Sequence, residues 1–315
     1  IPSVSAAAFE EELSADKSFV WLHRQLTPQQ KWEVNALGEP ALQFHKTEER
    51  IYPHGGLAAH VLGRVAASGK GDMGLENFFN GRLADPGRVG VPLQTSLDVR
   101  VQYALADELA AAMRVQEAVG AAGVVMDIHT GEVIAMVSLP DFDPNVGVSD
   151  ADSKRLFNRV TQGSYELGSV FKTFTVAAAL DNNIVKLSGG YDATKPLRVG
   201  RFTIRDDHPK ERYLSVPEIF IYSSNIGSAL MATDLGAERQ EKFLRSLGFM
   251  QRPSIELPGA TSGFGPSQWG PVETMTISYG HGISASPLQM ATAFAAMVNG
   301  GKLIPATLIK NSDAA

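Results

Sequence analysis

Apolar side chains recur at a regular interval in the residues that follow Asp98. The interval of four residues is that of one apolar face of an α-helix. Asp98 is a good N-cap, because its carboxylate can accept a hydrogen bond from a free amide of the first turn. The pattern therefore predicts an amphipathic helix after Asp98, with its apolar face formed by Val101, Leu105, Leu109 and Met113.

Two short apolar runs follow, at residues 123–128 and 133–137, and a polar turn at His129–Glu132 separates them. Apolar, β-branched runs joined by a short polar turn are typical of a β-hairpin. We expect them to be central strands of an antiparallel sheet covered by helices. The polar connection from Asp141 to Arg159 leads to another apolar run, Val176–Leu180, which should form a helix packed on that sheet.

The later residues continue the alternation of strands and helices. Residues 197–204 indicate a strand and a turn, residues 216–230 a helix, and Ser286-Pro287 the start of a helix that ends at Gly300-Gly301. The segment Arg82–Val91 is rich in Gly and Pro, which favours a domain boundary. We therefore predict two domains, residues 1–94 and 95–315, of which the second is α+β, with helices bracketing an antiparallel sheet.

Composition limits the classes of function. The chain has 315 residues, of which 44% are hydrophobic and 20% charged, enough for two cores. A net charge of −6 argues against nucleic acid as the main partner. No run of about twenty apolar residues occurs, so we expect the given residues to be soluble. The absence of cysteine excludes disulfides and zinc–thiolate sites, and the seven histidines form no closely spaced pair, so no metal or cofactor is expected.

Candidate chemistry begins at Ser169 and Lys172. Gly168 can make a tight turn before Ser169, so Ser169 should open a buried helix with Lys172 one turn along on the same face. A serine hydroxyl is a poor nucleophile until a base takes its proton, and a neutral lysine amine can be that base. The pKa of Lys172 would have to fall by roughly three units through burial. Glu166 is interpreted as a charge at the helix start.

The Ser-x-x-Lys spacing alone is not specific, because about one chance match is expected in a chain of this length. Ser14 and Lys17 have the same spacing within a charged stretch, where the lysine would stay protonated. The alternative interpretation of Ser169 and Lys172 is therefore a capping serine and a surface lysine.

A second polar group, Ser223-Ser224-Asn225, lies about fifty residues further on. Ser223 could relay a proton to a leaving group, and Asn225 could hydrogen-bond both Lys172 and the backbone of a bound peptide. These residue types are also common at helix caps.

The order of the two motifs resembles that of the penicillin-binding proteins, whose active sites carry Ser-x-x-Lys, Ser-x-Asn and Lys-Thr-Gly. More narrowly, the chain is similar to class B members, the monofunctional D,D-transpeptidases of the cell-division type. The likeness covers nearly the whole chain. It is carried by Arg50–Pro53 with His60 and Gly63, Gly74–Glu76, Asp127–Met136, Leu139–Pro140, Pro144–Asn145, Phe157–Arg159, Ser278–Gly282 and Pro287–Gln289.

The resemblance implies a fold for each predicted domain. Residues 95–315 would be a transpeptidase domain of the penicillin-binding-protein/serine β-lactamase type, an antiparallel sheet flanked by helices. Residues 1–94 would be part of the class B pedestal, a dimerisation-like domain.

The resemblance also implies the chemistry. Ser169 would attack the penultimate D-alanine of a peptidoglycan stem peptide, and Lys172 would take its proton. Ser223 and Asn225 would serve in proton transfer and positioning. An amine of a neighbouring strand would resolve the acyl-enzyme into a cross-link, and β-lactams would acylate Ser169. Gly168, Ser224 and His281 are candidate substrate-binding residues, although for His281 we favour a packed structural role.

The expected setting follows from the same resemblance. The protein would act in septal cell-wall synthesis at the periplasmic face of the bacterial inner membrane, on an anchor helix that the given residues lack. Its partners would be a SEDS-type glycosyltransferase and other divisome proteins.

One departure from the family pattern is serious, because neither Lys-Thr-Gly nor Lys-Ser-Gly follows Asn225. In the family this motif holds the substrate carboxylate beside half of the oxyanion hole, and loss of one oxyanion donor slows catalysis by roughly 10² to 10³.

Two explanations compete for the missing motif: the residues are part of a larger gene product, or they form a natural fragment that binds without turnover. We favour the first.

Other classes are less consistent with the sequence. A non-catalytic penicillin-binding module, either a β-lactam sensor or a structural divisome subunit, is the main alternative, but a sensor would lack the pedestal. A serine β-lactamase would need a second base, and no Glu is recognisable in that role. An α/β-hydrolase is disfavoured, because Gly265–Trp269 lacks the second glycine of Gly-x-Ser-x-Gly.

Overall fold

The computed structural model describes residues 10, 14, 19–23, 26–46, 49–66, 68–146 and 148–310. The chain divides into two compact units, Ile1–Ile51 and Tyr52–Ala315. That a pedestal domain occupies residues 1–94 stays a prediction. Within the described ranges, the helices are too short or too polar to cross a lipid bilayer.

The first unit contains one described helix of several turns, α1 (Pro28–Ala36). It begins at a capping box, in which Thr27 Oγ1 accepts a hydrogen bond from the Gln30 amide and Gln30 Oε1 accepts one from the Thr27 amide. In the same unit, the rings of Phe19, Trp21 and His45 contact one another edge-on, with centroids 5.2 to 5.9 Å apart.

The second unit combines helices with small antiparallel sheets. Its helices are α2 (Ala59–Leu62), α3 (Gly74–Phe78), α4 (Asn80–Leu83), α5 (Val99–Val115), α6 (Lys172–Asp181), α7 (Val216–Ile221), α8 (Asn225–Leu235), α9 (Ala237–Ser246), α10 (Pro271–Ile277) and α11 (Pro287–Val298). Short 3₁₀ segments cover Pro86–Arg88, Asp150–Leu156 and Gly168–Phe171.

The strands of this unit pair antiparallel, β1 with β2, β3 with β4, β5 with β8 and β6 with β7. They are β1 (Arg64–Val65), β2 (Gly71–Met73), β3 (Ala121–Met126), β4 (Val133–Leu139), β5 (Gly190–Asp192), β6 (Leu197–Val199), β7 (Phe202–Ile204) and β8 (Tyr213–Ser215). The predicted α+β class, with helices around antiparallel strands, is confirmed.

The predicted helix after Asp98 and the predicted hairpin are both confirmed, but in the described part of the chain the hairpin forms a two-stranded sheet, so the prediction that its strands are central strands of a larger sheet is wrong. The Asp98 carboxylate accepts a hydrogen bond from the Arg100 amide at the start of α5. The β3–β4 register pairs Ala121 with Leu139 and includes an irregularity at Val125/Met126. Helix α5 packs on this hairpin, and the buried Gln102 side chain exchanges hydrogen bonds of 2.7 and 2.8 Å with the Met136 backbone.

The helix predicted over residues 216–230 is in fact two helices, α7 and α8. Between them Ser223 has φ = 56°, in the left-handed region. An L-residue in that conformation cannot continue a right-handed helix, so the chain turns there. Ser224 then caps the second helix by accepting a hydrogen bond from the Gly227 amide.

The prediction that the helix after Ser169 packs on the hairpin is wrong. Helix α6 packs mainly against α8 and α9, whereas α11 contacts β3. The core beside α6 is aromatic, since the ring centroids of Phe171, Phe174 and Phe249 lie 5.1 to 5.3 Å apart. Three buried residues of α11 join the same core, namely Met290, Ala293 and Ala296.

Residues 52–94 contribute to the core of the second unit. Val61 and Leu75 are buried in one cluster with Val133 and other apolar residues of the unit. The Tyr52 amide donates a hydrogen bond of 2.8 Å to Asn145 Oδ1, and Asn145 Nδ2 donates one of 2.9 Å to the Tyr52 carbonyl. This segment is therefore integral to the unit that carries the site described below.

Truncation of Phe174 should destabilise the second unit strongly. Its ring is fully buried, so Phe174→Ala should lower the free energy of unfolding by about 3 to 5 kcal/mol, measured by urea denaturation. Phe264→Ala is the matched control, because its side chain is 72% exposed and the change should stay within about 0.5 kcal/mol. Equal effects of the two variants would contradict this assignment of the core.

Candidate active site

Ser169 lies in the 3₁₀ turn Gly168–Phe171, which runs directly into α6. Gly168 has φ = 54°, a conformation that glycine adopts without steric penalty. Phe171 is buried in the aromatic core, while Ser169 on the same turn is exposed. The α-helix thus begins three residues later than predicted, at Lys172, and the turn presents the Ser169 hydroxyl to solvent.

Lys172 connects the two polar motifs. Its Nζ lies 2.9 Å from Ser169 Oγ, 2.8 Å from Ser223 Oγ and 2.7 Å from the Ser223 carbonyl oxygen. The residue is only 2% exposed. The alternative interpretation, a capping serine and a surface lysine, is therefore wrong.

Burial changes the protonation of this amine. Desolvation lowers the pKa of Lys172 from 10.5 to about 8, although the carboxylates of Asp206 and Asp207 oppose the shift. Burial disfavours the charged form of any amine, because the ammonium ion loses its hydration. A substantial fraction of Lys172 is therefore neutral near pH 8, in hydrogen-bond contact with the Ser169 hydroxyl.

The backbone conformation of Ser223 places both of its oxygens on this amine. A residue other than glycine rarely adopts a positive φ, and such a conformation costs about 1 to 3 kcal/mol. Here it turns the carbonyl and the hydroxyl of Ser223 toward the same Nζ. The Ser169 hydroxyl, the Lys172 amine and the Ser223 hydroxyl thus form a continuous path for a proton.

Ser224 differs from its predicted role, and one of the two predicted contacts of Asn225 does not form. Ser224 is buried, its Oγ donates to Asp206 Oδ2 at 2.8 Å, and it caps α8, so a substrate contact is not available to it. Asn225 Nδ2 donates to the Arg205 carbonyl at 2.9 Å. Over the described ranges, no hydrogen bond joins Asn225 to Lys172.

Glu166 and His281 form a pair beside the Ser169 turn. Glu166 Oε1 accepts a hydrogen bond of 3.0 Å from the Gly282 amide, and its Oε2 lies 3.6 Å from His281 Nδ1. His281 is exposed rather than packed, although its ring contacts Tyr279 edge-on at 5.4 Å, and its favoured structural role stays a prediction. Glu166 holds the 279–282 loop, a contact that its position at the helix start did not reveal.

The same loop supports the Ser169 turn through a glycine. Gly280 has φ = 85°, and a Cβ built on it would lie 2.2 Å from the Gly168 carbonyl oxygen. The two backbones therefore pack directly against each other below Ser169. Sequence reasoning did not identify this contact, although two glycines flank His281.

Asp206 is the other residue that sequence reasoning missed, because it lies 18 residues before Ser224 and belongs to no recognised motif. As for metals, the part of the chain that the structure describes brings no three His, Asp or Glu side chains into a metal-binding arrangement. The chemistry available here is that of a serine hydroxyl, an amine and a second hydroxyl.

Comparison with known proteins shows the family of the chain. A family model described as the penicillin binding protein transpeptidase domain matches residues 121–314. The probable peptidoglycan D,D-transpeptidase FtsI of Caulobacter vibrioides is 38% identical over 98% of this chain and 52% of its own length. The probable peptidoglycan D,D-transpeptidase PenA of Neisseria meningitidis is 34% identical over 94% of this chain and 55% of its own length.

Solved structures show the same fold. Penicillin-binding protein 3 of Mycobacterium tuberculosis, complexed with aztreonam, superposes with a TM-score of 0.75 and 28% sequence identity. The match covers 83% of this chain and 61% of that one. The chain thus spans about half the length of the curated relatives it matches.

The Gly168–Gly280 contact can be tested with two glycines of the same loop. Gly280→Ala and Gly282→Ala both place an L-residue at a positive φ, which should cost about 1 to 2 kcal/mol in each. Only the Cβ of Gly280→Ala meets backbone, since the nearest atom to that of Gly282→Ala is Thr276 Oγ1 at 3.7 Å. Urea denaturation should therefore show that Gly280→Ala is less stable than Gly282→Ala by about 1 to 3 kcal/mol. Equal stabilities would mean that this packing is not tight.

Proposed function

Because the chain belongs to the family of penicillin-binding protein transpeptidase domains, we propose that it carries the active site of a peptidoglycan D,D-transpeptidase. The observation that carries the proposal is the position of the Lys172 amine, within 2.9 Å of both the Ser169 and the Ser223 hydroxyls. Relatives at 38% and 34% identity are named as probable peptidoglycan D,D-transpeptidases.

In the first half-reaction, neutral Lys172 takes the proton of Ser169 as Oγ attacks the carbonyl carbon of the penultimate D-alanine. The tetrahedral intermediate then collapses, and the bond to the terminal D-alanine breaks. The leaving amine takes a proton that passes from the Lys172 ammonium through the Ser223 hydroxyl. The products are an ester on Ser169 and free D-alanine, and Lys172 is neutral again.

In the second half-reaction, an amine of a neighbouring stem peptide attacks the ester. Its proton passes back through Ser223 and Lys172 to Ser169 Oγ as the ester bond breaks. The new amide is the cross-link between two strands. We assign Asn225 and Gly168, which are close in sequence to the two hydroxyls, to positioning the substrate backbone, and we assign the exposed His281 to substrate contact.

The β-lactam ring offers the same serine a strained amide, so it should acylate Ser169 and remain bound as an ester. The complex of the Mycobacterium tuberculosis relative with aztreonam supports this part of the proposal. By the same family membership, we assign the protein to septal wall synthesis at the periplasmic face of the inner membrane. We assign it a SEDS-type glycosyltransferase and other divisome proteins as partners, and a pedestal role to residues 1–94.

Incubation with benzylpenicillin should add one ligand mass to the intact protein, measured by mass spectrometry. Peptide mapping should place the adduct on the peptide that contains Ser169, since its hydroxyl contacts the amine with the lowered pKa. Ser169→Ala should lose the adduct completely.

Ser14→Ala is the matched control, because Ser14 has the same spacing to a lysine and should have no part in acylation. It should keep the full adduct. An adduct that persists in Ser169→Ala, or a wild-type protein that forms none, would refute the proposal.

The acylation rate should rise with pH through the pKa of Lys172, which is about 8. The sign follows from the mechanism: only the neutral amine can accept the serine proton, and the neutral fraction grows as pH increases. Stopped-flow measurement with a chromogenic β-lactam between pH 6 and 10 should show this rise in the acylation rate. Lys172→Arg should remain inactive throughout, because a guanidinium group stays protonated. A rate independent of pH would contradict the role of Lys172 as base.

A further inference from the structure

Asp206 makes two hydrogen bonds to the turn that carries the second motif. It follows β7, is half-buried, and places both carboxylate oxygens on the first turn of α8. Its Oδ2 accepts from Ser224 Oγ at 2.8 Å, and its Oδ1 accepts from the Ile226 amide at 2.9 Å. Hydrogen bonds to a charged acceptor are stronger than those between neutral groups, so this carboxylate anchors the turn.

The anchored residue is directly bonded to the one that contacts Lys172. Ser224 is buried, and its amide donates to the Ile219 carbonyl at 2.9 Å. The peptide that joins Ser223 to Ser224 is therefore held by Ser224 on one side. Its carbonyl oxygen, that of Ser223, accepts the 2.7 Å hydrogen bond from Lys172 Nζ. If Ser224 were displaced, this oxygen would move with it. The strained backbone conformation of Ser223 would change as well.

Asp206 and its neighbour Asp207 act on Lys172 through charge as well. Both carboxylates raise the pKa of Lys172 and so oppose the effect of burial. Asp207 is exposed, and within the described residues no hydrogen bond joins its side chain to α8. The two adjacent residues therefore share the electrostatic effect, and only Asp206 holds the turn.

We propose that Asp206 is a positioning residue, which holds Ser224 and thereby keeps both oxygens of Ser223 on the Lys172 amine. This role rests on the proposed acylation of Ser169. Asp206 does not touch the reacting atoms. It determines whether the second hydroxyl lies on the proton path.

The test compares Asp206→Ala, Asp206→Asn and Asp207→Asn by the pH dependence of acylation with a chromogenic β-lactam. In Asp207→Asn, the rise of the acylation rate with pH should shift to lower pH. The plateau rate reached at high pH should stay unchanged, because this substitution removes only charge. Asp206→Ala should shift the rise in the same direction and lower the plateau by about 10- to 100-fold, since two charge-assisted hydrogen bonds are lost. Asp206→Asn should recover part of the plateau, because its amide oxygen can still accept from Ile226.

A plateau in Asp206→Ala and Asp206→Asn equal to that of Asp207→Asn would overturn the proposal, since charge alone would then explain the effect. If Asp206→Ala does not fold, Asp206→Asn against Asp207→Asn decides the matter.

The structural part is also measurable without acylation. Hydrogen exchange of the Ile226 amide should accelerate by about 10-fold or more in Asp206→Ala and stay unchanged in Asp207→Asn. If wild-type protein forms no adduct while exchange changes as expected, the proposed function fails and the anchoring by Asp206 stands. Unchanged exchange in Asp206→Ala would overturn the anchoring itself.

Discussion

The burial of one amine is the constraint on which the rest of the site depends. Lys172 Nζ is removed from water beside an aromatic core, so it must find its polar partners within the protein. Those partners are one hydroxyl from its own helical segment and two oxygens of Ser223, 51 residues away in the chain. The two oxygens of Ser223 are supplied by three linked features: the left-handed conformation of Ser223, the break between α7 and α8, and the cap at Ser224. A lysine that was merely exposed would need none of these features.

The sequence was informative where local patterns are repeated or self-contained. Asp98 and the four-residue spacing after it determine a helix, and the turn at residues 129–132 determines a hairpin, because both rest on neighbours in the chain. The nucleophile and its base were identified for a similar reason. Residues one helical turn apart meet wherever the helix is placed, and the charged surroundings of Ser14 then separated that pair from this one.

What could not be predicted depends on contacts between distant segments. The strained conformation of Ser223 at the helix break is compensated by its hydrogen bonds with Lys172. An argument from the helix propensity of residues 216–230 does not include Lys172. Ser224 looked like a ligand contact until the partner of its hydroxyl, Asp206, became visible. Likewise, the stretch Ser278–Gly282 contributed to the resemblance, but only the approach of the Gly168 backbone explains why a side chain is not accommodated at Gly280. The packing of α6 against helices rather than against the hairpin also depends on contacts between segments that are distant in the chain.

The burial of Val61 and Leu75 has a consequence for how the protein is divided. The family model starts at residue 121, yet the cluster that contains Val133 is completed by side chains from 61 and 75. The residues that the family model matches and the residues that form this buried cluster are thus different lengths of chain. Expression boundaries drawn from the family match would expose the apolar face of the hairpin, whereas boundaries placed before Tyr52 keep it covered.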